Sequence, residues 1–198
     1  MSPNQLVDRR KAIKQASLLL GFTITGPALT GVLNGCTPSK VLDWRPSFFT
    51  EEEAFLIEAA SARILPSGET PGAAEVNAVR FIDQMVAEYY LPEDQVRFRT
   101  GMQALEAHSE ETAGKSFIKA SESEQDTILS EQALTARKQF LDIPDSPQPF
   151  FLMLKELTIL GFFTSEIGAT QFLNFDETPG GYQGCVPMED LGGKAWAT

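Results

Sequence analysis

Residues 150–167 leave the fewest choices open. This is the most apolar stretch downstream of the N-terminal region, with Lys155, Glu156 and Glu166 as its only charges. Those three charges argue against a membrane span. A helix apolar on nearly every side has to be surrounded by other elements. The stretch is therefore expected to form the central buried helix, continuing raggedly to Leu173. No run of strand-like alternation occurs elsewhere, so the surrounding elements should be helices too. The expected fold is mainly α: a single compact helical domain of about five to six helices over residues 49–173. An irregular Gly/Pro-rich arm over residues 174–198 should follow it.

The surrounding helices carry their own start and stop signals. Thr50 followed by Glu53 is a capping box, in which the hydroxyl and the carboxylate each satisfy a free N–H of the first turn. Three glutamates there, Glu51, Glu52 and Glu53, suit the helix dipole. Leu56, Ile57, Ala60 and Ile64 recur at helical spacing, and Leu65-Pro66-Ser67-Gly68 stops the helix. A second helix is expected over about residues 73–90, with Val76, Val79, Ile82, Val86 and Tyr89 on its inner stripe. Pro92 opens a third, reaching about residue 107, with Val96, Met102 and Leu105 inward. Residues 109–115 read as a polar connection and 116–120 as briefly extended. Ser121 and Glu124 form a second capping box ahead of a helix over 125–140. Three prolines, Pro144, Pro147 and Pro149, make residues 143–149 a loop.

The N-terminal region has a different logic. A charged cluster, Asp8-Arg9-Arg10-Lys11, precedes a mostly apolar run over residues 16–33, which ends at Leu33-Asn34-Gly35-Cys36. Basic, then apolar, then a small residue before a cysteine is the pattern of an export signal. The alternative, a buried or membrane-spanning helix, is weakened by Gly21, Gly26, Pro27 and Gly31 and by four hydroxyl residues. Arg9 and Arg10 ahead of a weakly hydrophobic core resemble a twin-arginine signal. Residues 33–36 resemble a lipobox, with Cys36 as the lipidated residue, although Asn34 is bulkier and more polar than is usual there. The expected division is therefore a signal over residues 1–35 and a tether over 36–48.

Charge then excludes whole classes of partner. The signal holds four of the sixteen basic residues and one of the twenty-seven acidic ones. Its removal leaves 163 residues with 12 basic and 26 acidic side chains, a formal −14. No nucleic-acid partner is expected, because phosphate binding needs clustered Lys and Arg. Anionic lipid head groups are repelled as well. Periplasmic localisation, with tethering to a membrane through Cys36, fits such a surface.

Chemistry-bearing residues are few. His108 is the single histidine, so a His-based metal site or bis-His haem is excluded within this chain. It reads as a solvated side chain with no carboxylate partner evident in sequence. Glu51, Glu52 and Glu53 point in different directions on a helix and read as a solvated start rather than a carboxylate cluster. No glycine fingerprint follows a strand, so no dinucleotide site is expected. Cys185 has no Lys, Arg or His close in sequence to activate it. It reads as buried or partner-paired, or as the disulfide partner of Cys36 where that residue is not lipidated. No catalytic, cofactor-binding or metal-binding residues are assigned. The arm keeps Tyr182, Cys185, Met188 and Trp196 among five glycines and two prolines. Disordered tails seldom keep such large aromatics. The arm either wraps its own domain, with Trp196 as a plug, or binds a partner through Tyr182, Cys185 and Trp196.

An ordered set of motifs runs through the chain. Phe49-Thr50-Glu51-Glu52-Glu53 is followed by Arg63-Ile64-Leu65-Pro66, Thr70-Pro71-Gly72-Ala73 and Phe81-Ile82-Asp83. Gly180-Gly181-Tyr182-Gln183-Gly184-Cys185 and Gly193-Lys194-Ala195-Trp196 close it. In this order, and behind a twin-arginine signal, the chain resembles the gluconate 2-dehydrogenase subunit 3 family. The resemblance implies a small subunit of an acceptor-dependent oxidoreductase complex acting on CH–OH groups, without an active site or cofactor of its own. It implies a flavoprotein catalytic subunit of the glucose-methanol-choline type, which holds FAD and oxidises a sugar or sugar acid. It further implies a cytochrome c subunit with haem as electron acceptor, and export of a folded flavoprotein by the twin-arginine translocase with this chain as carrier.

Two functional classes follow. The first is a non-catalytic subunit that assembles, stabilises and exports the flavoprotein, for which a large exposed apolar surface is expected in isolation. The second is a stand-alone exported lipoprotein that binds a small ligand between helices, for which one closed pocket is expected.

Overall fold

The computed structural model describes residues 42–143, 146–178, 180–181 and 185–197. Within the unit Trp44–Thr198 they form five α-helices, one 3₁₀ turn and one π-helical turn, and no strand occurs among the described residues. The helices are α1 (Glu51–Ile64), α2 (Ala78–Tyr89), α3 (Pro92–Ala113), α4 (Glu122–Asp142) and α5 (Phe150–Phe163). The mainly α architecture expected from the sequence is what folds.

Both capping boxes form. The Thr50 hydroxyl accepts the Glu53 N–H at 3.2 Å, and the Glu53 carboxylate accepts the Thr50 N–H at 2.9 Å. At α4 the Glu124 carboxylate accepts both the N–H and the hydroxyl of Ser121 at 2.7 Å. These contacts satisfy donors that a helix start otherwise leaves to water.

Helix α2 begins at Ala78 rather than near residue 73. Asn77 sits in the left-handed region at φ 52°, which breaks helical continuity. The preceding residues make turns instead, closed by Asn77 N–H to the Ala74 carbonyl and Ala78 N–H to the Ala73 carbonyl. Glu75 helps hold them, accepting the Gly72 N–H at 3.0 Å and the Ser67 hydroxyl at 2.7 Å. Gly72 is required by contact: a Cβ there would lie 2.6 Å from the Leu65 carbonyl oxygen. On the expected stripe Val79, Ile82 and Val86 are buried, but Tyr89 is 69% exposed. Its neighbour Tyr90 turns inward instead, with its ring edge-on to Phe98 at 6.4 Å.

Helix α3 also differs from expectation. It runs on to Ala113, because nothing stops it before Gly114, which caps it at φ +68°. The polar residues after 107 lie on its outer side, apart from Ser109, which is fully buried and donates to the Lys115 carbonyl at 3.0 Å. Met102 and Leu105 are buried as expected, whereas Val96 is 66% exposed and Phe98 takes the inner position. Residues 117–119 are a 3₁₀ turn, not an extended piece. Phe117 is wholly buried there; its N–H donates to Glu106 and its carbonyl accepts from Gln125.

The core lies where α5 meets α1, α2, α3 and α4. Phe98 sits among Phe49, Tyr90 and Phe150, with the Phe150 ring edge-on at 5.0 Å. Gly101 lets Phe150 approach; a Cβ there would lie 2.2 Å from that side chain. Helix α5 is central but not wholly buried. Phe151, Met153, Leu154, Leu157, Thr158, Gly161 and Phe162 face inward, while Ile159, Leu160 and Phe163 are exposed. A helix apolar all round here has one side that its own domain does not cover.

Candidate partner interface

The uncovered side of α5 is built from its second half. Ile159 and Phe163 are four apart, and Leu160 and Phe163 three apart, so all three share one face. After Thr164 the chain turns at Gly168. A Cβ at this position would lie 1.9 Å from the Phe162 carbonyl oxygen, so only glycine fits. The π-helical turn Gly168–Phe172 then brings Phe172 back onto the helix end. Its ring lies 5.6 Å from Phe162 and 5.7 Å from Phe163, both edge-on. Phe172 is 40% exposed and the following Phe175 53%. The result is an apolar cluster at the end of α5, made by Ile159, Leu160, Phe163 and Phe172, with the exposed Phe175 three residues further along the chain.

The arm is closed at its root by one residue. Asn174 donates its N–H to the Ala195 carbonyl and accepts the Ala197 N–H, both at 2.8 Å. Its side-chain amide donates to the carbonyls of Leu191 and Lys194, each at 2.9 Å. Lys194 in turn donates to the Gln171 carbonyl at 2.8 Å. Trp196 pairs with Asn174 in an isolated parallel bridge and is 51% exposed. Its ring is therefore no plug; backbone and amide hydrogen bonds hold the arm. Met188 is likewise 54% exposed.

Cys185 is a free, exposed thiol at φ 57°, so of the two expectations, buried or partner-paired, burial is corrected. Arg9, Arg10, Cys36 and Tyr182 lie outside the described residues. Of the three proposed contact residues in the arm, Trp196 therefore lies at its neck and Cys185 on its surface. Sequence reasoning missed Ile159, Leu160, Phe163, Phe172 and Phe175, because a stretch apolar on all sides was read as wholly buried. The signal that could have found them is the run of apolar residues continuing past the helix stop at Thr164-Ser165.

Two charged residues of the motifs, Arg63 and Asp83, hold the fold together. Arg63 forms a two-pronged pair with Asp126, both bonds at 2.7 Å, and reaches Glu122 at 2.9 Å. This joins α1 to α4. The Arg63 hydrogen bonds hold the Asp126 carboxyl below the usual carboxylate range. Asp83, 2% exposed, accepts three successive backbone N–H groups, from Ser47 at 2.6 Å, Phe48 at 3.0 Å and Phe49 at 2.8 Å. Arg99 covers the same junction, pairing with Glu53, donating to the Phe48 carbonyl and stacking over the Phe48 ring at 4.4 Å. His108 has a carboxylate partner after all, Glu131 at 2.8 Å, supplied by α4 from 23 residues away.

No cluster of three metal-ligating side chains occurs among the described residues. No described helix is long and apolar enough to cross a membrane. The described glycines serve turns, helix contacts and the arm; none opens a helix after a strand, where a dinucleotide pyrophosphate would sit. A groove of about 450 Å³ between α3, α4 and residues 147–151 is open to solvent, as is a smaller one of about 260 Å³ beside Arg63. Neither is the closed pocket expected of a small-ligand carrier.

Searches of curated proteins and of solved structures give no match. The family model for gluconate 2-dehydrogenase subunit 3 matches residues 51–180, from the first turn of α1 into the arm. The chain belongs to the gluconate 2-dehydrogenase subunit 3 family.

Proposed function

We propose that this chain is the non-catalytic small subunit of a flavin-dependent sugar or gluconate dehydrogenase, and that it assembles, stabilises and exports the catalytic flavoprotein. The observation that carries this reading is the uncovered apolar surface of Ile159, Leu160, Phe163, Phe172 and Phe175, on a chain of this family. Contiguous apolar surface on a soluble domain marks a place where another protein sits. In this reading the flavoprotein holds FAD and oxidises the sugar, and a cytochrome c with haem takes the electrons. Arg9 and Arg10 route the folded pair to the twin-arginine translocase. Cys36 carries the lipid that holds the pair at the periplasmic face of a membrane. The open grooves lend no support to a stand-alone ligand carrier.

The test is co-expression of the tagged full chain with the flavoprotein of its complex. Leu160→Glu, which removes no ring contact, is expected to abolish the co-purification expected of the unaltered chain, with the thermal melt of the small subunit retained. Replacing Arg9 and Arg10 by Lys is expected to keep the flavoprotein out of the periplasm. A flavoprotein that never accompanies the chain, or that is exported equally well by the Lys variant, sinks the assembly or the carrier role respectively.

A further inference from the structure

The segment that leads into α1 has no regular structure of its own. Residues 44–49 form no backbone hydrogen bond with one another and belong to no helix or strand. They are placed all the same. Trp44, Pro46 and Phe48 are half-buried and Phe49 is buried, while Arg45 and Ser47 between them are exposed. The family match starts only at residue 51, yet the compact unit starts at Trp44.

The groups that place this segment come from far along the chain. Arg80 of α2 lies over the Trp44 ring, 5.6 Å from its centre. Asp83, three residues on, takes the N–H groups of Ser47, Phe48 and Phe49. From α3, Arg99 donates to the Phe48 carbonyl and covers the Phe48 ring, and the Phe98 ring lies 5.9 Å from that of Phe49. A segment with no internal hydrogen bonds cannot hold this shape alone, because ordering it costs backbone entropy. Its seat exists only when α2 and α3 are in place.

The dependence also runs the other way. Asp83 is 2% exposed, and those three amides are its hydrogen-bond donors among the described residues. Without them a buried carboxylate would be left with no donor, which is costly. Phe98, wholly buried, would lose the Phe49 ring from one side.

We propose that residues 44–49 are a fold-gated strap, which seats only when α2 and α3 are assembled and leaves only when they come apart. The alternative is an end that frays by itself, as segments outside the first helix usually do. The strap couples the chain ahead of the domain to the state of the bundle. That chain starts from a fixed point on α2 while the domain is folded, and from Thr50, six residues later, once the bundle opens. The device does not depend on what the domain binds, so it stands or falls apart from the subunit reading.

Amide hydrogen exchange of the full chain is followed by NMR at several urea concentrations below the unfolding transition. The amides of Ser47, Phe48 and Phe49 are expected to be protected within about tenfold of those of Ile82 and Val86, with the same dependence on urea, because both sets need the bundle to open. Protection lower than that, without dependence on urea, is fraying and overturns the proposal. Phe48→Ala removes the ring under Arg99 and keeps the three backbone amides. It is expected to lower the urea midpoint of the whole domain and to speed exchange of the strap and of α2 by the same factor. A strap that speeds up alone, or a midpoint that does not move, overturns the coupling.

Discussion

Asp83 shows how much one carboxylate can organise. Its oxygens take the N–H groups of three consecutive residues, so the chain leading into α1 is held against α2. Asp83→Asn keeps the size and replaces one acceptor oxygen by a donor facing donors. Buried N–H groups left without a partner cost about 1–3 kcal/mol each. Asp83→Asn is therefore expected to lower stability by about 2–4 kcal/mol, read as a shift of the urea midpoint at unchanged slope. Glu124 acts at the same scale on α4. The N–H and hydroxyl of Ser121, and then Lys115, hold its carboxyl down at about 2, against an ordinary 4.5. A carboxyl held down when folded stabilises above its unfolded value, and that contribution fades as pH falls from about 4.5 towards 2. Glu124→Gln should remove that part of the acid dependence, so its urea midpoint should change less with pH across this window. Tyr90 is pushed the other way, up to about 12, by burial and then by Glu156 and Asp94. Spectrophotometric titration should show one tyrosine ionising only near pH 12, a step that Tyr90→Phe removes.

At the scale of elements, the arm depends on Asn174. Asn174→Asp would turn an amide donor between the carbonyls of Leu191 and Lys194 into an acceptor facing acceptors. The arm is expected to open at its neck, with limited proteolysis after Lys194 becoming at least about tenfold faster while the helical core stays intact. This neck was not legible in the sequence, because an asparagine before a glycine-rich stretch gives no sign of the carbonyls about twenty residues on. The helices were legible where the signals are local: Thr50 with Glu53, Ser121 with Glu124, and Pro92 each mark a start that the fold uses. The errors fall where tertiary contacts decided. Glu75 and Asn77 made turns out of what reads as a first helical turn. Tyr89 and Val96 gave up inner positions to Tyr90 and Phe98. The 3₁₀ turn at Phe117 exists because Glu106 and Gln125 satisfy its backbone, and neither is adjacent to it in sequence.

At the scale of the whole molecule, an apolar surface is carried by a domain with a strongly acidic balance. Such a domain is steered towards a basic partner face, and salt should slow the encounter. On the proposed reading, the association rate with a flavoprotein partner is expected to fall about tenfold between 0.05 and 0.5 M NaCl, with a smaller change in dissociation, as stopped-flow mixing would show. The sequence could reveal the acidity and the apolar content of α5, but not which side of α5 would stay uncovered. That depends on how far α1 to α4 reach around it. The three amide protons on Asp83 also decide how the domain answers a pull. Tension arriving from before Ser47 passes into α2 through that carboxylate before it can peel the first turn of α1. A membrane tether upstream would thus tug on a mooring in the middle of the bundle, not on a frayed helix end.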